Sequence, residues 1–80
     1  MTVKRYPKTR VDLKAIGRRV RQIRGFDLTQ AEFAKQLGIG QQQLSNYEMG
    51  RSAPTLEILL TLKKISGKSL DWLVCGESDS

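Results

Sequence analysis

Leu28-Thr-Gln-Ala-Glu-Phe-Ala-Lys-Gln-Leu-Gly-Ile-Gly-Gln-Gln-Gln-Leu-Ser-Asn-Tyr-Glu-Met-Gly-Arg51 is the stretch that decides the fold. It opens on the clearest helix-start signal in the chain. Thr29 and Glu32 have the spacing of a capping box, in which each side chain accepts the other's backbone N–H. Leu28 and Phe33 stand at the two staple positions around that cap and set the chain's entry angle. Ala34 and Leu37 continue the inward face, and Gly38 supplies a stop in the left-handed conformation. Gly40 then serves as N-cap of a short helix over Gln41–Met49, with Leu44 and Tyr47 on one side and Gly50 at its end. Two short helices a few residues apart, with glycine at the bend, have the form of a helix-turn-helix. Ala34 is the small residue that a steep crossing needs at its contact point. Phe33, Leu37, Ile39, Leu44 and Tyr47 supply the apolar set that holds the angle.

Upstream, Asp12 is a candidate N-cap, and Leu13, Ile16, Val20 and Ile23 recur at helical spacing. That first helix should end near Gly25. Gly17 inside it costs helix stability and permits close approach of a neighbouring helix. Downstream, Pro54 and Thr55 introduce a fourth helix carrying Leu56, Leu59, Leu60, Leu62 and Ile65, terminated by Gly67. Ser69 caps a short fifth helix with Leu70, Trp72, Leu73 and Val74. No internal repeat and no strand-like alternation of useful length is present. The expected architecture is all-α, with five helices in one domain over residues 11–76. A flexible basic arm (1–10) and a small polar, frayed tail (77–80) flank it.

Composition narrows the function. The chain has 80 residues, room for one modest core. It has no His, which removes the usual general base and the commonest metal ligand. A single Cys leaves neither an intramolecular disulfide nor a Cys-cluster zinc site, and an unpaired thiol fits a reducing cytosol. No metal site and no cofactor are therefore expected, and no residue cluster supports an enzyme. No apolar run is long enough to span a membrane, and no apolar segment follows the basic start as in a signal peptide. The net charge is +6, unevenly placed. Residues 1–24 hold nine basic side chains against Asp12 alone, whereas residues 25–80 hold five basic and seven acidic ones. Such asymmetry points to a polyanion held by one face or arm, nucleic acid first and anionic membrane second.

The quoted stretch resembles the helix-turn-helix of phage repressors and Cro proteins, the XRE family. The likeness continues through Pro54-Thr-Leu-Glu and Ser69-Leu-Asp-Trp-Leu73 and spans roughly residues 13–76. Two departures stand out: Gly40 occupies a position where the family often has Ser or Thr, and the loop Gly25–Leu28 is tight. The resemblance implies a compact lambda-repressor-like domain whose third helix enters the major groove of duplex DNA.

At about 100° per residue, with Leu44 and Tyr47 inward, Gln42, Ser45, Asn46 and Met49 point outward, and Gln41 projects from the helix start. Gln41, Gln42 and Asn46 are the candidates for base readout, because carboxamides donate and accept and can pair bidentately with adenine. Gln43 lies at the side of that face and could reach a base or a phosphate. The resemblance implies that Gln30 grips a phosphate at the second helix's start, where free backbone N–H groups already favour anions. It also implies backbone contacts from Arg51, Ser45 and Arg24, and a pairing of Arg24 with Glu48 that steadies the third helix. Ala34, Gly38 and Glu48 are the structural supports. Trp72, Leu70 and Leu73 read as core, part of it shared in a dimer, since family members tend to pair around the last helix. Cys75 reads as a passive thiol. The basic arm could track the DNA backbone, enter the minor groove, or stand aside as a leader.

The expected function is therefore a sequence-specific, double-stranded-DNA-binding transcriptional regulator. It would be repressor-like, cytoplasmic, encoded by a bacterium or phage, and dimeric on a near-palindromic operator. The competing expectation is an antitoxin-type protein that binds a toxin partner and autoregulates its operon, although no toxin-wrapping segment is visible. A module for RNA or membranes would want exposed aromatics or a broad amphipathic face.

Overall fold

A computed structural model describes residues 10–76; the expected arm up to residue 9 and the tail 77–80 lie outside the described residues. Five helices follow one another: α1 (Leu13–Arg24), α2 (Gln30–Leu37), α3 (Gln41–Glu48), α4 (Leu56–Ser66) and α5 (Leu70–Cys75). No strand occurs among the described residues. Four helices begin on a side-chain cap. Asp12 accepts from the Ala15 amide, Thr29 from Glu32, Thr55 from Ile58 and Ser69 from Trp72. Each bond satisfies one of the donors that a helix start leaves without a partner. At α2 the reciprocal bond is also made, with the Thr29 amide donating to Glu32 Oε1 over 3.0 Å, so the capping box is complete. The Thr29 backbone amide, and after it the Thr29 hydroxyl, hold the Glu32 carboxyl below its ordinary range.

Ile16 and Val20 of α1, Phe33, Ala34 and Leu37 of α2, Leu44 and Tyr47 of α3, Ile58 and Leu62 of α4 and Leu73 of α5 form one core. Leu13, Ile23, Leu28, Ile39, Leu70 and Trp72 pack around it, half-buried. All five helices thus contribute to a single apolar centre, and α3 is held from below by Leu44 and Tyr47, at 0% and 2% exposure. Burying side chains of this size contributes about 1.5–3 kcal/mol each.

The structure differs from the sequence reading at two places. The expected helix over Gln41–Met49 stops at Glu48, because Met49 is already the capping residue before the left-handed Gly50. More informative is α4. Away from the face of Glu57, Thr61 and Lys64 its apolar residues spread widely round the helix, so its pattern could not say which of them face inward. Ile58 and Leu62 enter the core, while Leu56, Leu60 and Ile65 remain exposed. The tight turn between α1 and α2 leaves Phe26 in solvent and contributes only Leu28 to the core.

Candidate nucleic-acid interface

The turn between α2 and α3 is fixed by backbone hydrogen bonds. Gly38, at φ 74°, donates to the Lys35 carbonyl over 3.1 Å, and Ile39 donates to the Ala34 carbonyl over 3.0 Å. This is a Schellman arrangement, and its left-handed residue is where glycine avoids the Cβ penalty. Ile39 is thereby turned onto the core beside Ala34. Gly40 follows in extended conformation and starts α3 without any side-chain cap. The chain therefore turns within three residues and starts α3 without a side-chain cap.

The other end of α3 is fastened by ions and by close packing. Arg24, the last residue of α1, meets Glu48, the last residue of α3, through two parallel bonds. Nε donates to Oε2 over 2.9 Å and Nη2 to Oε1 over 3.0 Å. Gln30, at the start of α2, donates from Nε2 to the same Oε1 over 3.1 Å. Arg24 Nη1 also donates to the Leu28 carbonyl over 3.0 Å, reaching the chain just before α2. One carboxylate thus joins the ends of three helices. The two side chains are 12% and 4% exposed, so the pair is far more shielded than a surface ion pair and its fork geometry adds direction.

Packing reinforces the clamp. A Cβ on Gly17 would lie 2.5 Å from the Glu48 carbonyl oxygen and also against that of Tyr47, so only glycine lets α1 approach the α3 backbone this closely. Gly50 sits in the same way against Lys14, whose Cα would be 2.9 Å from an added Cβ. The close approach inferred from Gly17 is an approach to α3 itself. The residue that appeared to weaken α1 seats the helix that carries the candidate readers.

The outer face of α3 is uncharged. Gln41, Gln42 and Gln43 are exposed, and Ser45 and Asn46 are half-exposed. Met49 closes the stripe, also exposed. Gln42 Nε2 donates to Asn46 Oδ1 over 3.3 Å, and Ser45 Oγ donates to Met49 Sδ over 3.7 Å. Arg51 is exposed just beyond, its amide donating to the Asn46 carbonyl over 2.9 Å. The structure brings Gln41, Gln42, Gln43, Ser45 and Asn46 onto one accessible surface. It places Arg24, Gln30 and Glu48 together behind it. Sequence reasoning missed that the Gln30 amide turns onto Glu48, and it missed the Gln42–Asn46 bond. The four-residue spacing of the latter pair was its available signal. It also missed Arg19, whose Nη1 donates to the Leu73 carbonyl over 3.1 Å and ties α1 to α5. Among the described residues no group of His, Cys, Asp or Glu could hold a metal ion, and no helix is long and apolar enough to cross a membrane.

Residues 18–73 match the family model described as helix-turn-helix. The chain belongs to the helix-turn-helix family. A solved structure shares the fold: the P22 c2 repressor protein in complex with the synthetic operator 9T in the presence of Tl+. That repressor is 32% identical over 78% of this chain and 96% of its own, with a TM-score of 0.69. No curated protein matches the chain significantly. The five helices and the α2–turn–α3 geometry make this helix-turn-helix protein a lambda-repressor-like, repressor/Cro-type member, as the sequence pattern led one to expect. This class is one of DNA-binding transcription regulators, and the chain takes its place in it.

Proposed function

We propose that the protein binds duplex DNA at a specific, near-palindromic site as a homodimer and represses transcription by occupying it. The observation that carries this reading is the exposed, uncharged amide stripe of Gln41, Gln42 and Asn46 on a helix clamped from behind. A rigid platform with Gln and Asn side chains suits base edges in the major groove, where amides distinguish adenine by its N6 and N7. Arg51, Ser45 and the remaining N–H of Gln30 take phosphates and set the register. Arg24 has three donor contacts inside the protein and acts chiefly as a support. Leu56 and Leu60, one turn apart and exposed on α4, with Val74 on α5, support pairing through the C-terminal helices.

Selection of bound sequences from a random duplex pool, with light scattering on the complex, tests the reading. Two inverted half-sites with centres about 34 Å apart and a two-to-one complex are expected. A single unrepeated element with one bound copy overturns the dimer. Absence of any selected sequence overturns specific binding. An antitoxin-type chain would instead co-purify with a small protein encoded beside it.

A further inference from the structure

The cations of α1 fall into two sets. Arg24 is closed on Glu48 and the Leu28 carbonyl, and Arg19 donates to the Leu73 carbonyl. Lys14, Arg18 and Arg21 are exposed, and none of their side chains makes a hydrogen bond or ion pair among the described residues. Spacings of four and three residues place them on one stripe of the helix, away from the core-facing Ile16 and Val20. Like charges so spaced repel, and α1 contains no acidic residue to offset them. The stripe runs into a groove of about 330 Å³ lined by Arg18, Arg21, Gln22, Gly25 and Phe26. Phe26 is fully exposed, so the core gains nothing from its ring. A Cβ on Gly25 would meet no atom, which leaves the ground beside the ring open. Each arginine brings an apolar stem as well as a guanidinium, so the groove combines apolar contact with two bidentate donors.

We infer that this face of α1 docks an acidic segment of a partner protein that carries one apolar side chain. The apolar side chain packs on Phe26 in the groove, and carboxylates on either side of it take Arg18, Arg21 and Lys14. Charge complementarity selects the occupant: unpaired cations at fixed spacing want an anion, and the ring among them wants an apolar group. A duplex backbone would satisfy the cations and leave Phe26 in water. An aromatic flanked by arginines is also the side-chain set on which protein interfaces concentrate their affinity. The face is separate from the α3 stripe, since Gly17 and Arg24 are the α1 residues turned to α3. Docking of this kind does not depend on base recognition.

The test titrates the full chain with a short synthetic peptide of Asp and Glu around one central Trp, and with a twin carrying Ser in place of that Trp. The Trp peptide should bind about tenfold more tightly than its twin, and Phe26→Ser should abolish the difference. Arg18→Gln and Arg21→Gln made together should weaken the Trp peptide about tenfold. Lys63→Gln with Lys64→Gln removes equal charge at exposed positions of α4. At physiological salt, where distant charges are screened, that lysine pair should cost less than about twofold. On a mixed-sequence duplex the arginine pair should cost no more than the lysine pair. Equal peptide losses from both pairs would reduce the effect to net charge and overturn the inference, as would twin peptides bound alike by wild type. A duplex loss confined to the arginine pair would assign the stripe to the DNA backbone. A Phe26→Ser chain of lower mass than wild type in light scattering would assign the face to a second copy. Either result overturns an acidic protein partner. None of the substituted side chains lies in the core, so unchanged urea midpoints separate lost docking from misfolding.

Discussion

The two ends of α3 are built on opposite principles. Its C-terminal end is held by the Arg24–Glu48–Gln30 cluster, by the Gly17 and Gly50 contacts and by Tyr47 in the core. Its N-terminal end has an uncapped Gly40 and three exposed glutamines. A helix of eight residues has little stability of its own, so its order comes from what it packs against. Concentrating that packing at one end lets the other present side chains without carrying structure. Substitutions at the two ends should therefore separate stability from recognition.

The largest effect is expected at the clamp. Glu48→Ala leaves the Arg24 guanidinium shielded and unpaired, which should destabilise the fold by about 3–5 kcal/mol in urea unfolding. A loss under 1 kcal/mol would mean that the clamp is incidental. Gly17→Ala comes next. In an exposed helix this change gains about 1 kcal/mol, but here the new methyl meets backbone carbonyls, and a net loss of about 1–3 kcal/mol is expected. A stabilised variant would show that α1 and α3 are not in this contact. At the open end, Gly40→Ser introduces the missing cap acceptor and should stabilise by a few tenths of a kcal/mol, readable as a small rise in the urea midpoint. A loss of stability there would show that the start of α3 is not free.

The smallest effect concerns pH and lies at the capped start of α2, the counterpart of the uncapped start of α3. The Glu32 carboxyl titrates below the usual carboxylate range because the Thr29 backbone amide, and after it the Thr29 hydroxyl, donate to it. Its contribution is thus complete above the unfolded value and is lost as pH falls through the folded one. Glu32→Gln should remove that acid dependence, measured as the difference in thermal midpoint between neutral pH and pH 3. An identical acid response in both proteins would contradict the capping role. No corresponding acid-sensitive cap exists at Gly40.

The same contrast explains what the sequence could and could not disclose. Local rules act through neighbours in the chain, so Thr29 with Glu32, Gly38 and the Leu44–Tyr47 spacing were legible, and with them the helix-turn-helix. The Arg24–Glu48 pair spans 24 positions, and residue chemistry alone does not join such a pair; family likeness did. That the Gln30 amide also donates to Glu48 over 3.1 Å was not legible, because nothing along the chain brings positions 30 and 48 together. Gly17 was flagged as a site of close approach, yet its partner was invisible, since a missing side chain carries no chemical label. In α4 the wide spread of apolar residues hid the inward phase, and Ile58 emerged as core only through packing. Side chains that touch across helices are where periodicity stops informing.

The most direct measurement compares the two ends of α3 in one experiment. Glu48→Gln and Gln42→Ala are each assayed for unfolding and for binding across all single-base variants of the selected duplex. Glu48→Gln is expected to lower stability and to weaken every duplex by the same factor. Gln42→Ala is expected to keep wild-type stability and to change base preference alone. A Glu48→Gln protein with altered base preference, or a Gln42→Ala protein that unfolds more readily, would contradict this separation of the two ends.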